Sequence, residues 1–150
     1  MRAQQQGSII NIASIAGQRV VYSGSIAYEA AKAALVHLTR RAAVELGEDC
    51  VRVNSISPGG IATAIFGKSV GLGSEAAEAS AVKVEAYLAG MQPIPRAGLA
   101  LDVAQAALFL AGDEFTFING EDVLVDGGLI CGRRYSELAA GAQGLKSILQ

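Results

Sequence analysis

Two hydrophobic periods alternate along the chain. "GSIINIAS" (7–14) is a short apolar run, rich in isoleucine and ending in small polar residues, the pattern of a buried strand. A loop is expected over "GQRVVYSGS" (17–25). From Ile26 to Gly47 the period lengthens. Alanines and leucines recur at 27, 30, 31, 34, 35, 38, 42 and 46, predicting a helix with Gly47 as its C-cap. "VRVNSIS" (51–57) predicts a second strand. "PGGIATAIFGKSVGLG" (58–73) is too glycine-rich for a continuous helix. Residues 74–90 predict a polar, alanine-rich helix, and 92–98, with two prolines, a loop. Residues 101–114 predict a short amphipathic helix with Asp102 as N-cap. "GEDVLVDGG" (120–128) reads as a last strand stopped by two glycines, and the tail from Cys131 has no clear period.

This order of strands and helices predicts an α/β domain with a parallel sheet. Three strands make a small sheet, and parallel strands need helical cover on both faces. The first strand begins at residue 7 and is more apolar than edge strands usually are. The expectation is the second half of a larger sheet, with no internal repeat and no linker.

At 150 residues the chain is long enough for one domain with a sizeable core. The formal net charge of −2 gives no electrostatic footprint for nucleic acid. No apolar run reaches the ~18 residues of a membrane span, and the N-terminus shows no long apolar segment of a secretory signal. Neither nucleic acid nor membrane is an expected partner. Cys50 and Cys131 match no metal-binding spacing, so no metal is expected, and reduced thiols in a cytoplasmic protein are the default.

The candidate chemistry centres on "YEAAK" (28–32). Tyr28 and Lys32, four residues apart on the predicted helix, emerge on one face. Alone, such a pair is more often an exposed helix face. Its surroundings change the reading. Ser14 ends the first strand, and ligands in open parallel sheets bind beyond the carboxyl ends of strands. The turn after the second strand, "SPGGIAT", offers backbone N–H groups and the Thr63 hydroxyl. A free tyrosine, with a pKa of about 10, is a poor base near neutrality. A nearby ammonium favours the phenolate, and Lys32 is placed to supply one. The Ser14 hydroxyl can hold a substrate oxygen against the phenol. Tyr28 then exchanges a proton with that oxygen as a hydride arrives or leaves, and the hydride must come from a cofactor. Asn54 is read as bonding local backbone, His37 as structural or interfacial, and Asp126-Gly127-Gly128 as a strand terminator.

"GSIINIASIAG", "YEAAK", "RVNSISPGGIAT" and "INGEDVLVDGG" stand in the order of the short-chain dehydrogenase/reductase family, which the chain resembles over roughly residues 1–132. The resemblance implies the C-terminal half of an NAD(P)-binding, Rossmann-like domain of about three parallel strands with flanking helices, and a tail over 133–150. It implies Ser14, Tyr28 and Lys32 as the catalytic serine, tyrosine and lysine. Tyr28 and Lys32 would also touch the nicotinamide ribose. Pro58, Gly59, Ile61 and Thr63 would hold the nicotinamide end of NAD or NADP. Residues 64–92 would be a mobile flap, lined by Phe66, Leu72, Tyr87, Leu88 and Met91, for an alcohol or ketone with hydrophobic bulk. The complete enzyme would be a homodimer or homotetramer.

The departures from the family pattern are definite. No G-x-G-x-x-G phosphate loop occurs. The strand whose acidic or basic residue selects NAD or NADP, the Asn-Ala-Gly strand end and the catalytic asparagine are missing, and "MRAQQQ" resembles the last turn of the helix that would carry that asparagine. Ser14 and Tyr28 are 14 residues apart, one more than the family spacing leads one to expect. Two functions follow: an NAD(P)-dependent alcohol/ketone oxidoreductase of which these residues are the catalytic half, or a truncated, non-catalytic fragment without a pyrophosphate site.

Overall fold

The computed structural model describes residues 1–22 and 24–150. Three strands, β1 (Gly7–Ile12), β2 (Val51–Pro58) and β3 (Asp122–Val125), form a parallel sheet in that order. Gly7 pairs with Val51 and Ile12 with Ile56; on the other side of β2, Ser55 pairs with Asp122 and Pro58 with Val125. The parallel α/β sheet is thus as expected. β1 stops at Ile12, two residues short of the predicted end, because Ser14 opens a 3-10 turn over Ile15–Gly17.

The crossover from β1 to β2 is the helix α1 (Ile26–Gly47), whose ends coincide with the predicted ones. Ser25 caps it, its Oγ accepting the Tyr28 N–H, and many of its positions are alanine, the best helix former. Gly47 is not the C-cap. The chain makes a further turn through bonds from Asp49 N–H to Leu46 O and from Cys50 N–H to Gly47 O. Cys50, not Gly47, then takes the left-handed backbone conformation, with φ 55°. The loop before α1 is as expected apart from Ser23, which lies outside the described residues.

Strand parity places the helices. Asn11 of β1 bonds Thr39 of α1, while Ser8, three positions earlier and on the opposite face, bonds the Leu110 carbonyl of α4 (Ala100–Ala111). α1 and α4 therefore cover opposite faces of the sheet. Val51, Val53 and Ile56 of β2 and Leu110 of α4 are each no more than 1% exposed. Burial of each such side chain contributes roughly 1.5–3 kcal/mol. Asn54, also fully buried, donates to Ile118 O and accepts from Glu121 N–H; it bonds backbone as read, but that of the segment leading into β3 rather than local backbone.

Between β2 and α4 stand α2 (Ile65–Ser69) and α3 (Ser74–Leu88). Gly67 in α2 has a packing reason: a Cβ there would stand 2.7 Å from Ala77 Cα of α3. α4 begins one residue earlier than predicted, with Leu99 at the N-cap. Asp102 is instead the third helical residue, its carboxylate accepting the Leu99 N–H at 2.8 Å. The tail read as lacking a period is helical over α5 (Tyr135–Leu149), where no residue is buried. Among the described residues no helix is long and apolar enough to cross a membrane.

Candidate active site

At the carboxyl end of β1 the structure brings Lys32 to Ile12 and beside Tyr28, with Ser14 two residues beyond Ile12 in the chain. Ser14 follows the strand in extended conformation, and its Oγ accepts the Ala16 N–H at 3.1 Å. A hydroxyl has one hydrogen to donate, and accepting leaves that hydrogen free for a substrate oxygen. Tyr28 stands in the first turn of α1, its side chain 41% exposed. Lys32 lies one turn on. Its ammonium donates to Ile12 O at 2.8 Å, which fastens this turn of α1 to the end of β1, two residues before Ser14. The same ammonium stands 5.7 Å from the centre of the Tyr28 ring, within range of a cation–π attraction.

Gly17 makes this approach possible. A Cβ there would stand 2.8 Å from the backbone at Lys32 and Ala33. The first turn of α1 is fixed from its other side by Glu29, whose Oε1 accepts the Val21 N–H at 3.0 Å. Arg19 closes the arrangement, donating to Leu129 O beyond β3. Neither Gly17 nor Glu29 was singled out from sequence. The pattern "IASIAG" holds the glycine, but only the packed helix reveals what it admits.

The four cofactor-binding candidates follow β2. Pro58 pairs with Val125, and Gly59 N–H donates to Val125 O at 3.0 Å. Gly59 is needed because a Cβ would stand 2.6 Å from the Asp126 Cβ. Asp126 terminates β3, its carboxylate accepting the Gly128 and Ile130 N–H groups. Ile61 forms an isolated bridge to Gly98. Thr63 lines an open cleft of about 520 Å³ with Ala62, Ala64, Ile65, Lys68, Glu78 and Ala81. Of the proposed flap lining, Leu88 is buried against Gly60, whereas Leu72 and Tyr87 are exposed, and Phe66 and Met91 are half-buried. His37 lies in a separate cleft of about 410 Å³ between α1 and β3, with Arg40, Glu121 and Asp122. Both cysteines are free and exposed. No group of three or more potential metal ligands occurs among the described residues.

An open parallel α/β sheet that offers a crevice beyond the carboxyl ends of its strands is the architecture of dinucleotide-binding proteins. Residues 1–130 match the family model described as enoyl-(acyl carrier protein) reductase, and the chain belongs to the short-chain dehydrogenase/reductase family. It is 40% identical over 131 residues to momilactone A synthase of Oryza sativa subsp. japonica, covering 86% of this chain and 45% of that one. To cyclopentanol dehydrogenase of a Comamonas species it is 38% identical over 128 residues, covering 85% and 47%. A 3-oxoacyl-[acyl-carrier protein] reductase from Brucella melitensis with bound NAD superposes with a TM-score of 0.69 at 31% identity, covering 86% of this chain and 43% of that one. ElxO with NADP bound gives a TM-score of 0.72 at 32% identity, covering 88% and 50%. The chain spans about half the length of the relatives it matches, and solved relatives carry either nicotinamide dinucleotide.

The residues present fit the nicotinamide end of such a cofactor. An ammonium has three N–H donors, and Lys32 spends one on Ile12 O, leaving two for ribose hydroxyls. For the pyrophosphate the 150 residues offer no G-x-G-x-x-G loop.

Proposed function

We propose that these residues are the catalytic, substrate-binding half of an NAD(P)-dependent oxidoreductase that interconverts a secondary alcohol and a ketone. The observation that carries this reading is the Lys32 ammonium, anchored on Ile12 O beside the Tyr28 ring at the end of β1. The nicotinamide supplies or accepts the hydride when bound. Tyr28 gives its phenolic proton to the carbonyl oxygen in reduction and takes it back in oxidation. Lys32 stabilises the phenolate that this leaves and holds the ribose through its remaining N–H groups. Ser14, its oxygen already occupied by Ala16 N–H, donates its hydroxyl hydrogen to the substrate oxygen and so orients it toward Tyr28. Pro58, Gly59, Ile61 and Thr63 border the nicotinamide. The open, partly apolar cleft beside Thr63 supports a substrate with hydrophobic bulk, an alicyclic alcohol or ketone being the class closest to the Comamonas relative. The complete protein is proposed to be a cytoplasmic homodimer or homotetramer.

The test is made on the full-length gene product. Tyr28→Phe should lower kcat by roughly 10²–10⁴, the usual share of general acid–base catalysis, while the Kd for the dinucleotide stays within about twofold. Lys32→Met should weaken both, because Lys32 serves both. Undiminished turnover in Tyr28→Phe would remove Tyr28 from the mechanism.

A further inference from the structure

Asp122, at the start of β3, accepts from three side chains. Ser55 Oγ donates to its Oδ1 at 2.6 Å, Ser57 Oγ lies 2.9 Å from both carboxylate oxygens, and Gln18 Nε2 donates to its Oδ2 at 2.6 Å. Ser55 and Ser57 are fully buried on β2. Strand parity puts them beneath α1, since Asn11, the partner of Ser55, reaches Thr39 of that helix. Aspartate is disfavoured in strands. Among the described residues Asp122 makes no ion pair, and its three partners are neutral donors. The two serines account for part of its presence, because each buried hydroxyl would lose this acceptor if Asp122 were apolar.

Gln18 accounts for the rest. It is exposed, and holding a long exposed side chain in one place costs rotamer freedom. A short hydrogen bond to a carboxylate is among the strong ones and offsets that cost. The bond ties down a particular stretch of chain. Gln18 closes the 3-10 turn that Ser14 opens: Gly17 N–H donates to Ser14 O and Gln18 N–H to Ile15 O, both at 2.9 Å. The next residue, Arg19, donates to Leu129 O beyond the far end of β3. The turn after β1 is thus fastened to β3 at its start and past its end. Lys32 takes no part in this, being anchored on Ile12 O.

We propose that Asp122 is a positioning residue: through Gln18 it fixes the turn over Ile15–Gly17, and with it the direction of the Ser14 hydroxyl. The inference rests on the reading of Ser14 as the group that orients the substrate oxygen. Its consequence is that the serine and the Tyr28–Lys32 pair are held by separate ties, so one can be disturbed without the other.

The experiment exchanges the two polar groups in the full-length gene product. Gln18→Glu sets two carboxylates against each other and releases the turn, while leaving Asp122 on its serines. Combining Gln18→Glu with Asp122→Asn trades donor for acceptor: the new amide keeps its oxygen on the serines and offers its NH2 to the new carboxylate. Gln18→Glu should lower kcat by roughly 10²-fold, the scale that a misplacement of about 1 Å can cost, with the dinucleotide Kd within about twofold of native. The exchanged pair should recover kcat to within about fivefold of native, the non-additivity expected of two groups in contact. A second readout needs no turnover. Hydrogen-exchange protection of the Ala16 and Gly17 amides, both bonded to Ser14, should fall about tenfold in Gln18→Glu and return in the exchanged pair. An unchanged kcat in Gln18→Glu, a kcat that stays low in the exchanged pair, or unchanged protection overturns the proposal. A lower thermal midpoint with kcat intact also overturns it, leaving Asp122 as a strut of the sheet. If the native product turns over no ketone, the oxidoreductase reading fails, and the amide protection still decides whether Asp122 holds the turn.

Discussion

A Cβ built at Gly17 would stand 2.8 Å from Ala33 N and 2.9 Å from Lys32 O, so this one glycine sets how near α1 comes to the end of β1. The obstacle is helix backbone, which cannot rotate aside as a side chain can. Gly17→Val should therefore push the Lys32 turn outward, breaking the bond to Ile12 O. Overpacking of this kind typically costs about 1–3 kcal/mol. The expected result is a lower denaturation midpoint together with weaker dinucleotide binding; an unchanged midpoint and unchanged binding would show that the turn accommodates the side chain. Tyr28 and Lys32 were legible in the sequence because their relation is local, four residues along one helix. Ser14 was read as the end of the first strand, but the strand stops at Ile12 and Ser14 opens the turn that follows. The role of Gly17 was not legible, because the backbone it faces lies 15 residues further on.

Elements were read best where the hydrophobic period is long. The alanine and leucine recurrence gave α1 its limits, whereas the Ser25 cap at its start was not singled out. The C-terminal side was misread in its chemistry: Gly47 resembled a cap, but the 3-residue turn that follows moved the left-handed residue to Cys50. α5 escaped detection because Gly141 and Gly144 dilute a stripe that is regular only at every third and fourth position. At α4 the aspartate was recognised as a start signal but assigned the wrong place. As the third helical residue, Asp102 accepts from Leu99 N–H and pairs with Arg96 through both carboxylate oxygens, at 2.7 and 2.8 Å. The Arg96 guanidinium, aided by the Leu99 N–H, lowers its pKa from 3.8 to about 2. A carboxylate whose folded pKa lies below its unfolded value stabilises the fold above the unfolded pKa, and that contribution disappears as pH falls through the folded one. The pair is solvent-exposed and its effect is correspondingly modest. Between about pH 4 and pH 2 the thermal midpoint of the native chain should fall more steeply than that of Asp102→Asn; parallel curves would contradict the assignment.

Among the described residues, β2 is paired on both edges and carries most of the fully buried side chains, while β1 has a partner on one edge only. The pattern had predicted this: an apolar strand at the margin of a small sheet. It agrees with a chain that covers 45% of momilactone A synthase and 43% of the NAD-bound Brucella reductase. Periodicity could give the parallel direction of the sheet because its strands alternate with helices, whereas the strand order came from the structure. It could not reveal what α5 rests on, since an exposed stripe does not name its partner. The reactive end of the molecule joins both levels. In the proposed site Ser14 follows β1, Tyr28 and Lys32 stand on α1, and Pro58, Gly59, Ile61 and Thr63 follow β2. The central claim is that this end moves a hydride between a nicotinamide and a carbonyl carbon while Tyr28 moves the proton. The most direct measurement supplies the full-length product with NADH or NADPH deuterated at the transferable position and an alicyclic ketone, and analyses the alcohol formed. The account predicts one deuterium on the carbinol carbon with the native protein and almost none with Tyr28→Phe. A protein that binds the dinucleotide and transfers no deuterium to any ketone, or transfers it equally well without the Tyr28 hydroxyl, would contradict it.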